Sequence, residues 1–326
     1  MNKRYAYFDI IKFTLIFFVV LGHVIEPFIN NPFFKSIYML IYSFHMPLFV
    51  FISGMFAKYN RKTIKKYLIL FLIFHSIHTT IKLLTNTPPE TTTEILSFIL
   101  TPYWILWYLL CMAIWTFSLK FIKNVNIKLI VFFFMLSFLF GFIPINGILS
   151  INRLIYFYPF FLLGNLCGKD KEKFMNCIKS FKKPILIFIS ICFLVILMFV
   201  FRYFAPNINI SFFYGKSHYS SLSDFFGRFI AYFLGIACGF AVLLIIPDRH
   251  RTNSKLKSFS FSQIGSRTLS VYLLHVVFIS LIKKIVSLIT PDTGLLLVIF
   301  LTFTLIIVYL TSLPIFNKVL NKIAWK

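Results

Sequence analysis

The residues best suited to chemistry in this chain lie inside long apolar runs. Near the N-terminus, Asp9, Lys12 and His23 occur within RYAYFDIIKFTLIFFVVLGHVIEPF. Ionisable groups at membrane depth are costly unless they have partners or face a watery cavity, so each is a candidate functional residue. Asp9 and Lys12 are three residues apart and can pair on one helical face. His23 follows Lys12 by eleven residues, which returns it to the same face about 16 Å away.

Histidines dominate the candidate catalytic residues. A neutral imidazole accepts a proton near neutral pH, because its ordinary pKa is about 6.5. His23 is therefore predicted to be a general base or a nucleophile, and the alternative is a packed histidine bonded to backbone. His45, in YSFHMPLFVFISG, is predicted to lie as deep as a hairpin partner of His23 would, with the same two alternatives. Tyr272 and His275, in SVYLLH, are spaced to meet on one helical face.

The elements that position these residues are predicted to be transmembrane helices. Of 326 residues, 59% are hydrophobic and 13% are charged, whereas about 25% are charged in soluble proteins. A helix that crosses a bilayer needs about 20 mostly apolar residues. The sequence predicts an all-α polytopic membrane protein with about ten such helices, over Tyr7–Phe28, Ser36–Ala57, Tyr67–Leu84, Thr101–Leu119, Leu129–Ile143, Leu154–Gly168, Pro184–Phe204, Phe225–Ile246, Thr268–Ile282 and Gly294–Phe316.

The net charge of +24 indicates an orientation. Alternate connections and both termini carry 24 of the 33 basic residues. Cytoplasmic loops of membrane proteins are enriched in Lys and Arg, so both termini are predicted to be cytoplasmic. This placement argues against nucleic-acid binding. The opposite side carries seven basic residues, namely Lys35, Lys82, Arg153, Arg202, Lys216, Lys283 and Lys284.

The connections between the predicted helices are short. The longest are about twenty residues, around Ala205–Ser223 and Pro247–Arg267, and compact domains are typically larger, from about 50 residues. No repeat links the two halves of the chain. We therefore expect residues 1–326 to form one membrane-embedded domain.

Several of these segments together resemble the acyltransferase-3 superfamily, the integral membrane acyltransferases that include sugar O-acetylases similar to fucose 4-O-acetylase. The family's first-helix pattern, a basic residue and a histidine separated by ten residues, falls on Lys12 and His23. Relatives often have arginine where Lys12 stands. The other matching segments are FHMPLFVFISG, LWYLL, YPFFLLGNLCG and IGSRTLSVYLLH.

The resemblance implies one acyltransferase domain that moves an acyl group, usually acetyl from acetyl-CoA, to a sugar hydroxyl. The acceptor would be a surface glycan or a polyprenyl-linked sugar, and the protein would reside in a bacterial inner or plasma membrane. His23, Lys12, Asp9 and His45 would be catalytic. No metal is expected. The residues that would bind substrates are Arg61, Lys62, Lys65, Trp107, Tyr272 and His275, and the first three of them would hold the coenzyme.

Two other classes of function remain open from the sequence. A transporter or flippase for a glycan would use His23, His45 and His275 as a proton relay or as the lining of a polar passage. A scaffold or receptor would need no chemistry at these positions. The coincidence of the motifs favours the enzyme.

Overall fold

The computed structural model describes residues 6–85, 91–122, 124–144, 147–206, 208, 210–216, 218–247, 261–287 and 292–325, and these residues contain helices and no strand. The all-α prediction is confirmed for them. The α-helices are α1 Ala6–Ile25, α2 Pro32–Phe56, α3 Arg61–Thr85, α4 Thr92–Leu100, α5 Trp107–Ser118, α6 Ile127–Phe140, α7 Ile151–Cys167, α8 Lys171–Phe181, α9 Pro184–Phe204, α10 Ser211–Tyr214, α11 Leu222–Ile245, α12 Phe261–Gly265, α13 Thr268–Leu274, α14 Val276–Ser287, α15 Thr293–Thr311 and α16 Pro314–Trp325.

Six helical segments within the described ranges are long and apolar enough to cross a membrane. They are Ala6–Phe28, Pro32–Phe56, Arg61–Leu84, Pro184–Phe204, Leu222–Ile245 and Thr293–Thr311. At the four further spans that the sequence predicts, the helices are shorter than these six segments. α5 has 12 residues and α6 has 14, so each rises about 20 Å. The count of ten spans and the orientation of the termini stay predictions.

Two helix boundaries differ from the predicted ones for local reasons. α3 begins at Arg61, six residues before the predicted start at Tyr67, because the side-chain oxygen of Asn60 accepts the backbone N–H groups of Lys62 and Thr63 at 2.9 and 3.3 Å. The predicted ninth span is interrupted at His275.

Part of the charge pattern falls on residues that the structure leaves undescribed. The basic residues outside the described ranges are Lys3, Arg4, Lys123, Arg249, Arg251, Lys255, Lys257 and Lys326. Their assignment to the cytoplasmic side rests on the sequence alone.

The chain forms two compact units. Unit 1 comprises Met1–Ile52, Glu172–Asn209 and Phe233–Val319, and it contains all four candidate histidine and tyrosine positions predicted from the sequence. Unit 2 comprises Ser53–Lys171, Ile210–Tyr232 and Leu320–Lys326.

Helix α1 forms the core of unit 1. It contacts α12, α13, α14 and α15, and its Ile11, Leu15, Ile16 and Val20 side chains are fully buried. The approach of α12 is closest at Gly265, where an added Cβ would overlap the carbonyl oxygen of Asp9. The glycine of the IGSRT segment is thus required for this helix crossing.

Replacing Gly265 with alanine should destabilise unit 1 by about 1–3 kcal/mol, because the backbones of α1 and α12 would have to separate. Thermal unfolding of the purified protein in detergent measures the effect. Gly239→Ala is the matched control, since its Cβ would lie 3.8 Å from the nearest atom, on Leu48. Equal melting temperatures for Gly265→Ala and the unchanged protein would contradict the close crossing.

Candidate active site

The candidate active site is centred on His23, near the end of α1. Its Nδ1 atom lies 3.0 Å from Oε2 of Glu26, in the 3-10 turn Glu26–Phe28 that follows α1. Because an ionised carboxylate only accepts hydrogen bonds, this contact places the imidazole hydrogen on Nδ1. The lone pair of neutral His23 is then on Nε2, and the carboxylate fixes the orientation of the ring.

Two further imidazoles in unit 1 have the same tautomer for a different reason. Nδ1 of His45 donates to the carbonyl of Ile41 at 2.8 Å, and Nδ1 of His275 donates to the carbonyl of Val271 at 3.0 Å. Nε2 of His275 is buried and has no hydrogen-bond partner among the described residues. A buried polar atom without a partner is rare in folded proteins and often marks a place where water or a ligand binds.

Tyr42 of α2 connects His23 with His45. Its hydroxyl lies 3.4 Å from Nδ1 of His23, and its ring centroid is 4.4 Å from that of His45. The rings of His23 and His275 are stacked, with centroids 5.4 Å apart. Gly22 leaves room for this arrangement, because an added Cβ would lie 3.0 Å from the ring of Tyr42. We call His23, Tyr42, His45 and His275 the histidine cluster.

The geometry of the histidine cluster limits its charge. Two imidazolium ions with stacked rings at the separation of His23 and His275 would repel each other strongly in an apolar core. Only His23 has a carboxylate bonded to its ring nitrogen among the described contacts, so a proton taken up by the cluster is best stabilised there. The arrangement can therefore accept one proton from a bound hydroxyl and return it.

The other predicted residues of α1 lie about three turns (Lys12) and four turns (Asp9) from His23. Asp9 is buried, with 6% of its surface exposed, and Lys12 is half-buried. Tyr272 lies beside the cluster, and its ring centroid is 6.3 Å from that of His275. The structure thus brings His23, His45, Tyr272 and His275 together and leaves Lys12 and Asp9 further along the same helix. The catalytic roles of His23, His45, Lys12 and Asp9 and the substrate-binding roles of Tyr272 and His275 stay predictions.

The predicted coenzyme-binding cations belong to unit 2. Arg61, Lys62 and Lys65 are exposed in the first turns of α3. Nearby, burial and the neighbouring ammonium of Lys58 lower the pKa of Lys171, the first residue of α8. Residues from two segments of the chain therefore gather positive charge here.

Trp107, also in unit 2, is buried. Its ring stacks on Phe157 with centroids 5.2 Å apart, and the guanidinium of Arg153 lies 5.0 Å from its centroid. Its predicted contact with substrate stays a prediction.

Glu26 and Tyr42 were not among the residues that the sequence singled out. A signal for Glu26 was available, because a carboxylate three residues after a candidate catalytic histidine can reach its ring. Tyr42 had no such signal, since its role depends on the packing of α2 against α1. Among the described residues, no three His, Cys, Asp or Glu side chains are grouped as metal ligands.

Comparison with known proteins adds an independent observation. A family model described as an acyltransferase domain, that of the acyltransferase-3 family, matches residues 5–313. The nodulation protein NolL of Mesorhizobium japonicum is 30% identical over 197 residues, covering 51% of this chain and 48% of that relative. NolL of Sinorhizobium fredii is 45% identical over 64 residues, covering 17% of this chain and 16% of its own length. The chain thus spans at most about half the length of these relatives, and no solved structure matches it.

Proposed function

The chain belongs to the acyltransferase-3 family, and from that premise we propose that it is a membrane O-acyltransferase that acts on a glycan. It moves an acyl group, acetyl in the simplest case, from cytoplasmic acyl-CoA to a hydroxyl of a cell-surface or polyprenyl-linked sugar. The protein crosses a bacterial inner or plasma membrane several times, with both termini cytoplasmic. The observation that carries the proposal is the 3.0 Å contact that orients His23 through Glu26.

His23 performs the proton transfers in this mechanism. Its Nε2 atom takes the proton from the acceptor hydroxyl while the hydroxyl oxygen bonds to the acyl carbon. As the bond from that carbon to sulfur breaks, the imidazolium returns the proton to the departing thiolate. The Glu26 carboxylate stabilises the imidazolium between the two steps, as the acid of a hydrolase triad does. Nε2 of His275, which also carries a lone pair, is available to accept a hydrogen bond from a second hydroxyl of the acceptor sugar.

Two routes use the same residues. In the first, the acceptor attacks the thioester directly. In the second, Nε2 of His23 takes the acyl group first and passes it to the acceptor. Both require a lone pair on Nε2, which the Glu26 contact provides.

The basic residues at the start of α3 fit the charge of the proposed donor. A coenzyme A thioester carries several phosphate charges, and Arg61, Lys62 and Lys65 are exposed cations within five residues of one another. Arg binds phosphate with two parallel hydrogen bonds, whereas Lys acts as a point charge. We propose that these residues hold the phosphates of the coenzyme.

Replacing His23 with alanine should slow transfer about 100-fold or more, because proton transfer by a positioned residue contributes that much to a rate. The measurement compares the mass of the host glycan in cells that carry the unchanged protein and in cells that carry the variant. Loss of transfer appears as loss of the mass of an acetyl group. His218→Ala, in an exposed loop, should leave the glycan unchanged. Normal acetylation in His23→Ala would exclude His23 from the mechanism. Passage of intact sugar across vesicles, without acetyl transfer, would instead favour a transporter.

Neutralising Arg61, Lys62 and Lys65 to glutamine should weaken binding of acetyl-CoA to the purified protein about tenfold or more, because charged hydrogen bonds to phosphate are lost. The control neutralises the same number of exposed cations elsewhere, as Lys128→Gln, Lys179→Gln and Lys322→Gln together. Isothermal titration compares the dissociation constants. Equal weakening in both triple variants would show an effect of overall charge and would contradict a coenzyme site at α3.

A further inference from the structure

A second candidate site is a cavity of about 910 Å³ within unit 2, which has a mixed polar and apolar lining. It is lined from the later part of α3, from α4, from the segment between α4 and α5, and from residues around the start of α7. Its charged lining residues are Lys82, Glu94, Arg153 and Lys216. His75 also lines it, but its Nε2 contacts the carbonyl of Ile99 at 2.8 Å and its Nδ1 accepts the N–H of Tyr103, so the ring is held as a neutral structural element.

The three cations of this cavity stand out against the charge pattern of the chain. The predicted outer side has only seven basic residues, and Lys82, Arg153 and Lys216 are three of them. One carboxylate, Glu94, faces them in the lining. The cavity thus has an excess of positive charge on the side of the protein that is otherwise poor in it. Because topology signals place Lys and Arg on the opposite side, topology does not explain this cluster.

Two of the three cations are positioned by neighbouring groups. The guanidinium of Arg153 donates to the carbonyl of Trp104 at 3.4 Å and lies over the ring of Trp107. The ammonium of Lys82 is 4.6 Å from the centre of the Phe98 ring.

At Lys216 the contact is made by the backbone, whose carbonyl accepts a hydrogen bond from the side-chain amide of Asn152 at 2.9 Å. Trp107, which the sequence predicts to bind substrate, is buried and contributes to this cavity by holding the guanidinium of Arg153 over its ring.

The backbone around the cavity is strained. Trp104, Leu149 and Ser150 have φ values of 29°, 50° and 53°, and they are the non-glycine residues with positive φ in the described part of the chain. Trp104 and Ser150 line the cavity. Strain of this kind persists where the surrounding structure enforces it and clusters at ligand sites. The hydroxyl of Thr101, also in the lining, is buried with no hydrogen-bond partner among the described residues.

We propose that this cavity binds a phosphorylated sugar through Lys82, Arg153 and Lys216. A planar guanidinium and two ammonium groups complement the charge of a phosphate ester, and the volume exceeds that of a phosphate alone, which leaves room for a sugar ring. The phosphate belongs either to a polyprenyl carrier or to a soluble sugar phosphate. As an acceptor site the cavity rests on the proposed function, but its binding activity is tested without any acyl transfer.

The test measures binding to the full chain in nanodiscs made of a zwitterionic lipid, with no acyl donor present. The probes are a polyprenyl phosphate, glucose 1-phosphate and unmodified glucose. Arg153→Gln combined with Lys216→Gln should weaken binding of a phosphorylated probe about 10- to 100-fold. The control, Lys35→Gln combined with Arg202→Gln, removes two cations that the sequence predicts on the same side, outside the cavity lining, and should change affinity less than about twofold.

Lys82→Gln provides a second variant, because Lys82 is exposed near the end of α3 and an exposed substitution is expected to change stability little. It should weaken binding by about tenfold. Selective loss for the polyprenyl phosphate identifies a lipid carrier, and loss for glucose 1-phosphate identifies a soluble ligand. Three results would overturn the proposal. They are unchanged affinity in the cavity variants, a loss of affinity in the control as large as in the cavity variants, and binding of glucose as tight as that of the phosphorylated probes. The same titrations are repeated on His23→Ala. Because they measure binding and not transfer, their result is independent of whether the proposed acyl transfer occurs.

Discussion

The site depends on one constraint. When an imidazole is surrounded by apolar helices, one ring nitrogen must have a fixed hydrogen-bond partner so that the other nitrogen is available for chemistry. Glu26 meets this need for His23, and backbone carbonyls meet it for His45 and His275. The difference matters, because only a carboxylate adds a charge that stabilises an imidazolium. His23 is therefore distinguished from its two neighbours by its partner, and the 3-10 turn that follows α1 places that partner beside it.

The packing of unit 1 is arranged around this helix. α12 crosses α1 at Gly265, and the chain then turns at His275 to bring a second imidazole against His23. Unit 2 contains the two basic regions, at the start of α3 and around Arg153. The cations of the first are exposed in helical turns, whereas Arg153 is held against aromatic rings. This difference suits the first to a large, mobile coenzyme and the second to a smaller group.

The sequence predicted the helical class and singled out His23, His45 and His275 as candidates, because ionisable groups stand out in apolar runs; the roles of these histidines stay predictions. His23, His45 and His275 meet as expected for a polar core. The sequence did not predict the break at His275 or the role of Tyr42, since both arise from packing between distant segments. Nor did the apolar run over Thr101–Leu119 reveal that α5 has only 12 residues. The contact of Glu26 with His23 could have been predicted from their spacing of three residues. The cavity around Arg153 could not, because residues from distant segments of the chain form it.

The most direct measurement of the central claim is a double-mutant cycle between His23 and Glu26. Single-turnover rates of acyl transfer are compared for Glu26→Gln, His23→Ala and the double variant. If Glu26 acts by orienting His23 and stabilising its imidazolium, Glu26→Gln slows transfer about 10- to 100-fold, and adding it to His23→Ala causes no further loss. Losses that multiply in the double variant would show that the two residues act independently and would contradict the mechanism.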